Sequence, residues 1–224
     1  MADVPNVVQV SVSGGRTSAY MAKLLLDRRH DVADWLGVPE PDLKYVFIFA
    51  NTGMEHGDTL RFLRDIDRAF GLGLVWVEAV VNPVKGQGTK HRVVTFDSAF
   101  RRDEWRHPDH PFHATIRKYG VPNTTWNPCT REMKLRAMTS YMRSIGCKPG
   151  DFHTAIGIRD DERRRVSSSK EADIYRIVYP LVELEPTDKD DILEWASELP
   201  FDLAIPEYMG NCVTCSRKAS RSWP

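Results

Sequence analysis

Short apolar runs alternate with amphipathic stretches along the first 80 residues. A β-branched run at 7–12 ends in a glycine turn, and residues 18–29 then place apolar side chains at helical spacing. The same alternation continues with expected strands at 44–50 and 74–77 and an amphipathic helix at 58–70. This order of elements predicts an α/β fold with a parallel sheet and helices on both of its faces.

The alternation breaks at 82–128 and resumes afterwards. That stretch contains several Gly, Pro and His residues and little periodicity, so we expect an insertion with one short helix near 112–119. Strands are expected at 152–158 and 175–179, and helices at about 131–145 and at 188–197, the last one capped by Thr187 with Asp190 three residues on. The sequence thus predicts one domain over 1–224, with the insertion at 82–128 and a loop-like, cysteine-containing segment at 206–224.

The composition is typical of a globular protein. Of 224 residues, 42% are hydrophobic, and the 31 Lys+Arg balance the 31 Asp+Glu, so a global basic footprint for nucleic acid is absent while a local basic groove stays possible. No signal pattern opens the chain and no run of 18 apolar residues occurs, which favours a cytoplasmic protein without a membrane partner. The four cysteines are therefore expected to be reduced thiols or metal ligands.

The segment between the first strand and the first helix has a recognisable chemistry. It consists of Ser13, Gly14, Gly15, Arg16, Thr17 and Ser18. The glycines let the backbone turn sharply and approach an anion, and the N–H groups at the helix N-terminus would face that anion. The three hydroxyls and the arginine add donors and charge. An ordinary turn between strand and helix is the alternative, but the context favours phosphate binding, without the Gly-Lys-Ser/Thr of a Walker A motif.

Basic residues follow two later elements. Arg159 comes directly after the apolar strand that ends at Ile158, and open α/β sheets bind ligands beyond the carboxyl ends of their strands. The planar fork of arginine suits phosphate or sulfate, although the acidic residues at 160–162 could instead pair with the arginines, as we expect for Arg164 and Arg165. Lys134 lies about one helical turn past Cys129, so that both could face one site.

Several other polar residues are candidates with structural alternatives. Asn51, Thr52 and Gly53 follow a buried strand and are expected to line a pocket, while Glu55 and His56 could transfer protons or cap the next helix. The insertion histidines are expected to be exposed loop residues, and the two tryptophans to cover the core rather than stack on a base. These residues are His91, His107, His110, His113, Trp105 and Trp126.

Six blocks in the same order resemble the superfamily of ATP pyrophosphatases and phosphoadenosine phosphosulfate (PAPS) reductases. SGGRTS at 13–18 resembles its phosphate-binding PP-loop, FANTGMEH at 49–56 the segment that lines its adenosine pocket, and CTREMK at 129–134 its cysteine-plus-basic segment. GIRDDERRR at 157–165 resembles its arginine loop, and YPLVE at 179–183 and GNCVTC at 210–215 resemble its C-terminal blocks. The resemblance implies a Rossmann-like PP-loop sandwich with about five parallel strands in the order 3-2-1-4-5.

The resemblance also implies roles for individual residues. It adds Arg131 and Arg163 to the nucleotide-binding set formed by 13–18 and 51–53, and it implies catalytic roles for Arg159, Lys134 and Cys129. Iron–sulfur reductases of adenosine phosphosulfate (APS) resemble the layout of Cys129, Cys212 and Cys215, which implies a 4Fe–4S cluster on these three cysteines. A structural zinc site joined by Cys147 and a metal-free redox or persulfide-carrying Cys-x-x-Cys remain open alternatives.

The implied function is sulfur chemistry on an adenine nucleotide. Either PAPS or APS is reduced, or ATP adenylates an acceptor that then receives sulfur. Thr17 stands where ATP pyrophosphatases carry Asp, which favours reduction over magnesium-dependent ATP cleavage. The sequence lacks the Glu-Cys-Gly motif of PAPS reductases, which favours the ATP-dependent reaction. A sulfur- or electron-donor protein, a nucleic-acid acceptor and a homo-oligomer stay open. The alternatives are a non-catalytic nucleotide-binding or sensing module and a zinc-stabilised ATP pyrophosphatase without a redox role.

Overall fold

The computed structural model describes residues 5–84, 86–123 and 125–206. The chain divides into two compact units. Unit 1 contains the described residues of Met1–Ile48, Asp65–Leu74 and Cys147–Asp202, and unit 2 contains those of Phe49–Arg64, Val75–Gly146 and Leu203–Pro224. Within the described ranges, no helix has both the length and the apolar character that crossing a bilayer would require.

In the described ranges, six strands form one mostly parallel sheet in the order β4-β3-β2-β1-β5-β6. They are β1 (Val7–Ser11), β2 (Lys44–Asn51), β3 (Val75–Val81), β4 (Thr89–Val94), β5 (His153–Ile156) and β6 (Ile177–Val178). β1 pairs in parallel with both β2 and β5, so that Val8 lies opposite Tyr45 on one side and His153 on the other. Without β4, the strands follow the expected order 3-2-1-4-5, which confirms the predicted α/β architecture.

Helices flank this sheet, and the expected ones are present. The described α-helices are α1 (Arg16–Asp27), α2 (Arg29–Leu36), α3 (Gly57–Phe70), α4 (Pro111–Tyr119), α5 (Arg136–Ser144), α6 (Lys170–Ile174), α7 (Pro180–Glu183) and α8 (Lys189–Ser197). Short 3-10 helices occur at Glu40–Asp42, Arg102–Glu104 and Asp160–Arg165. On α3 the predicted apolar face is confirmed, because Leu60, Leu63 and Ile66 are buried.

The insertion is more regular than its sequence predicted. It contains β4, which pairs antiparallel with β3 and places Trp76 opposite Val94. The sequence of β4 alternates poorly because the strand lies at the edge of the sheet, where charged side chains such as Lys90 and Arg92 are favoured. The short helix expected near 112–119 is confirmed as α4.

The N-terminus of α8 corrects the predicted cap. Asp188, rather than Thr187, caps the helix: its carboxylate accepts the N–H groups of Asp190 at 2.8 Å and Asp191 at 3.1 Å. Asp191 completes a capping box by accepting the N–H of Asp188 at 2.8 Å. The hydroxyl of Thr187 donates instead to the carbonyl of Glu185 at 2.8 Å. Both residues are good caps by type, and hydrogen-bond geometry decides between them.

Candidate functional site

The loop between β1 and α1 is shaped by a hydrogen-bond network around Ser18. The Ser18 hydroxyl oxygen accepts two hydrogen bonds from Ser13, one from its backbone N–H at 3.0 Å and one from the Ser13 hydroxyl at 3.1 Å. The Ser18 hydroxyl in turn donates to the carbonyl of Gly15 at 3.0 Å. Gly14 has a φ of 84°, which favours glycine, and no side chain of the described residues caps α1 at Gly15. Ser18 therefore holds the shape of the loop, whereas Ser13 is exposed and Thr17 partly exposed.

The segment after β5 runs directly against this loop. A Cβ atom at Gly157 would lie 3.5 Å from the Ser18 Cα and 3.6 Å from the Thr17 Cγ2 and carbonyl oxygen. One methyl group fits at that distance, and a branched side chain does not. Glycine at this position thus allows the segment that leads to Arg159 to approach the loop, as the parallel pairing of β1 and β5 requires.

Arg159 is placed after β5 as predicted, but a carboxylate holds it. Its Nε and Nη2 donate to the two oxygens of Asp161 at 2.8 and 3.0 Å. The Arg159 guanidinium in turn lowers the pKa of the Asp161 carboxyl through this hydrogen bond. The residue before Arg159, Ile158, is buried with Tyr179 and Val182 and anchors the segment. An oxyanion bound by Arg159 would have to replace Asp161.

The other two arginines predicted for unit 1 are also paired. Arg16 binds both oxygens of Asp202 at 2.7 and 2.6 Å, and its side chain is 19% exposed. Arg163 donates to Asp160 at 2.7 Å and to the carbonyl of Val182 at 3.3 Å. The acidic residues of the arginine loop therefore neutralise much of its charge.

In unit 2, Asn51 belongs to a buried polar network that the sequence did not indicate. Its amide donates to Glu78 Oε1 at 2.6 Å and to the carbonyl of Phe100 at 3.0 Å. Glu78, which is fully buried on β3, also accepts the Phe100 N–H at 2.7 Å and both Nε and Nη2 of Arg92 at 2.8 and 2.6 Å. The one feature of the sequence that could have predicted this ion pair is a charged residue in the middle of the apolar run VWVEAVV, because a buried charge needs a partner.

Gly53 and His110 meet so closely that no other residue fits at position 53. A Cβ atom there would lie 2.3 Å from His110 Nε2, and the φ of Gly53 is 79°. His110 caps α4 by accepting the N–H of Phe112 at Nδ1, and its Nε2 lies 3.2 Å from the carbonyl of Arg101. Burial lowers the pKa of His110. The expectation that His110 is exposed is therefore wrong, because its ring packs against Gly53 and the backbone carbonyl of Arg101.

Glu55 is a buried carboxylate held by the turn that precedes it. Its oxygens accept the Thr52 N–H at 3.0 Å and the Thr52 hydroxyl at 2.8 Å. Burial raises the pKa of Glu55, while the nearby charge of Lys134 and the hydrogen bonds from Thr52 lower it. Asn51 and Thr52 are themselves almost fully buried, so their side chains act within the protein. A buried carboxyl whose pKa is shifted by burial and by a nearby charge is typical of functional sites, and Glu55 with Lys134 is such a combination in unit 2.

The cysteine-plus-basic segment forms a π-helix over Cys129–Leu135, which continues directly into α5. A π-helix bonds residue i to residue i+5, so Cys129 and Lys134 are separated by one turn. The N–H of Cys129 is bonded to Asn127 Oδ1 at 3.2 Å, and Arg131 donates to Glu132 at 2.9 Å. Such π-turns occur frequently at functional sites.

The proposed metal site cannot be followed beyond Cys129, because Cys212 and Cys215 lie outside the described residues. In the described part of the chain, no three His, Cys, Asp or Glu side chains converge in a way that would hold a metal ion. Cys147 is partly exposed and follows α5.

The aromatic residues of the insertion also differ from expectation. Trp105 and Trp126 were expected to cover the core, but they are 37% and 40% exposed. Trp105 lines a cavity of about 670 Å³ together with Glu55 and Arg101. Of the remaining histidines, His91 is partly buried and bonded to the hydroxyl of Ser140 at 2.8 Å.

Comparison with known proteins found one informative relative. The chain is 34% identical over 220 residues to the protein named uncharacterized nin region protein ORF290 of Escherichia phage lambda. The match covers 95% of this chain and 66% of the length of the relative. No family model and no solved structure matches the chain. The chain is thus similar over almost its whole length to a phage protein that is longer than itself.

Proposed function

We propose that this protein binds the phosphates of an adenine nucleotide at 13–18 and carries out sulfur chemistry as an enzyme of the PAPS reductase family. The observation that carries the nucleotide-binding part is the loop between β1 and α1. Gly14 supplies a left-handed backbone, and Gly15 leads into α1 without a cap from any side chain that the structure describes. Gly157 keeps the adjacent segment close. Backbone N–H groups at the start of a helix favour an anion.

Side chains in unit 1 would complete phosphate binding. The hydroxyl of Thr17 would donate to a phosphate oxygen, and that of Ser13 would do so by exchanging its bond to Ser18, which shapes the loop. Arg159 would bind two oxygens of a phosphate or sulfate group in the bidentate manner in which it now binds Asp161. Arg163 would contribute charge, with Asp160 retained as its partner.

The catalytic groups of the proposal are those that the resemblance implies, Arg159, Lys134 and Cys129. Lys134 would stabilise negative charge that develops on the substrate, and Glu55 beside it would hold or release a proton. Cys129, one π-helical turn from Lys134, is the proposed sulfur-reactive or metal-binding residue. A 4Fe–4S cluster on Cys129, Cys212 and Cys215, if bound, would supply electron transfer or an open iron for sulfur.

Calorimetric titration of the full chain with ATP, APS and PAPS, and with adenosine as the phosphate-free ligand, tests the nucleotide-binding part. We expect at least one nucleotide to bind and adenosine to bind more weakly. Gly14→Ala should weaken nucleotide binding by about tenfold or more, because several charge-assisted hydrogen bonds depend on the loop backbone.

Gly37→Ala is the matched control. Gly37 also has a positive φ, 68°, but it ends α2, and a Cβ atom there would meet nothing within 4 Å. This variant should lose a similar amount of stability and keep nucleotide affinity. Equal affinity of wild type and Gly14→Ala, or equal affinity for adenosine and nucleotides, would contradict the proposal.

Anaerobic purification with iron, zinc and sulfide analysis tests the cluster separately. About four irons and sulfides per chain, lost in Cys212→Ser and retained in Cys147→Ser, would support it. Zinc that disappears in both variants would favour the structural alternative instead. Release of sulfite or pyrophosphate from the bound nucleotide would distinguish an enzyme from a binding module.

A further inference from the structure

A second set of basic side chains surrounds a cavity that the proposed function does not use. The cavity has a volume of about 490 Å³ and lies wholly within unit 2, beside α4, the π-helix and the start of α5. The charged side chains among its described lining residues are Arg117, Lys118, Arg131, Arg136 and Glu132. Four positive groups and one negative group give this cavity a net positive charge.

Glu132 acts as an anchor for two of these arginines. Its side chain is 1% exposed, and its Oε1 accepts Nε of Arg131 at 2.9 Å and lies 3.2 Å from Nε of Arg136. Its Oε2 accepts the hydroxyls of Thr89 at 3.2 Å and Tyr119 at 3.1 Å. The two arginine side chains are about half exposed. One buried carboxylate thus fixes two guanidinium groups and neutralises only one of their charges.

No carboxylate of the described residues neutralises the other two cations. Lys118 donates to the carbonyl oxygens of Asn82 and Gln87, both at 2.6 Å, and these acceptors carry no net charge. Arg117 is exposed and has no ion-pair partner within the described ranges. An anion entering the cavity would therefore meet uncompensated charge on side chains from two neighbouring helices.

Two further residues fix the orientation of an arginine and leave space in the cavity, Trp126 beside Arg131 and Gly88 in front of Arg136. Arg131 stacks over the Trp126 ring, with 5.4 Å between its Cζ atom and the ring centroid, which orients the guanidinium. Gly88 lines the cavity, and a Cβ atom there would lie 3.7 Å from Nη1 of Arg136. A larger side chain at position 88 would therefore fill the space in front of Arg136 without removing any charge.

We propose that this cavity binds a dianionic oxyanion, phosphate or sulfate, either free or carried by a small molecule. Preoriented arginine forks match the geometry of tetrahedral oxyanions and bind them in a bidentate manner. The cavity is larger than one such ion, so a small phosphorylated or sulfated compound also fits. Arg131, which the resemblance assigns to nucleotide binding, lines this cavity. The inference does not depend on the proposed function, because its argument uses neither the loop at 13–18 nor Arg159, Lys134 or Cys129.

Calorimetric titration of the full chain with inorganic phosphate and with inorganic sulfate, at ionic strength held constant with chloride, tests the inference. We expect saturable binding that the Arg117→Gln/Arg136→Gln variant weakens by about tenfold or more, the loss expected when charge-assisted hydrogen bonds are removed. Gly88→Leu should weaken binding similarly while every charge is kept. Circular dichroism of each variant verifies the fold.

Two controls separate this site from other sources of anion binding. Arg68→Gln/Arg143→Gln removes the same charge from exposed positions and should leave the affinity within about twofold. Gly14→Ala should retain the binding, which distinguishes the cavity from the loop at 13–18. The inference is overturned by the absence of saturable phosphate or sulfate binding, by equal weakening in both double variants, or by binding of a single-stranded oligonucleotide alone.

Discussion

Two turns in this molecule follow buried strands and contain a glycine with positive φ, yet they are stabilised in different ways. The loop after β1, at 13–15, is held by hydrogen bonds to Ser18, only a few residues away. The turn after β2, at 51–53, is held by Glu78 and Phe100 and packs against His110. The first turn is therefore encoded locally, and the second depends on residues distant in sequence.

This difference affects what each turn can offer to a ligand. The loop at 13–15 uses its own hydroxyls for shape and leads into α1, whose N-terminus is not capped by any side chain of the described residues. The turn at 51–53 commits its side chains to a buried network, and Thr52 is further engaged by Glu55. A local turn can present its backbone to a ligand, whereas a turn built into the core mainly positions its neighbours.

The largest expected effect comes from removing the carboxylate that supports the second turn. Glu78→Ala would leave Arg92 and Asn51 without their buried partner, which should lower the free energy of unfolding by about 3–5 kcal/mol. Urea-induced unfolding measures this loss. Glu194→Ala, at an exposed position on α8, should stay within about 0.5 kcal/mol of wild type. Similar midpoints for the two variants would show that the second turn does not depend on Glu78.

A smaller effect is expected from crowding the first turn. Gly157→Val would press a branched side chain against Thr17 and Ser18, which should destabilise the protein by about 1–3 kcal/mol and abolish nucleotide binding. Gly157→Ala is the matched variant, because its single methyl group fits at 3.5 Å. Thermal unfolding and nucleotide titration of both variants test this. If valine were tolerated as well as alanine, the close approach would have no role in the shape of the loop.

Removing the carboxylate that binds Arg159 should have a still smaller effect, an increase in nucleotide affinity. Asp161→Asn removes the carboxylate that competes with a ligand for Arg159, and a partly exposed ion pair contributes at most about 1 kcal/mol. Nucleotide affinity should therefore rise by up to about fivefold. Asp31→Asn, which breaks the Arg28–Asp31 pair elsewhere in unit 1, should leave the affinity unchanged. Weaker nucleotide binding in Asp161→Asn would mean that Asp161 orients Arg159 for its ligand.

The smallest expected effect concerns the pH dependence of stability. Burial, with a contribution from Arg176, lowers the pKa of His153 below its usual 6.5, and neither ring nitrogen has a hydrogen-bond partner in the described part of the chain. Below about pH 6.5 the unfolded chain binds the proton more readily, so stability should decrease as the pH falls toward the folded-state pKa. Urea midpoints measured over this range should show a shallower decrease in His153→Phe.

His30 provides a comparison of opposite sign. Glu40 raises the pKa of His30, so this residue stabilises the fold at low pH, and the contribution is lost as the pH rises through the folded-state pKa. His30→Gln should therefore make the acid-induced loss of stability steeper. A slope that neither variant changes would assign the pH dependence to other groups, such as His110.

The contrast between local and distant contacts also explains what the sequence could predict. The parallel strands, the β1–α1 loop and most helices follow from spacing over a few residues, and these elements are confirmed, whereas the order of the strands was implied by the resemblance. The ion pair of Glu78 with Arg92 and the burial of His110 depend on contacts between segments far apart, for which one sequence contains only weak indications. The edge strand β4 was missed because it lacks an apolar face, and the cap of α8 was placed one residue early because Thr187 and Asp188 are both capping types.

The π-helix at Cys129–Leu135 has a consequence for how this chain tolerates insertions and deletions. Because consecutive residues of an α-helix are rotated by about 100°, removing one residue and restoring α-helical bonding would turn Cys129 by roughly that angle relative to α5. The buried face of α5 would keep its packing, while the cysteine would point in a new direction. The extra residue therefore sets the rotational phase between two halves of one continuous helix.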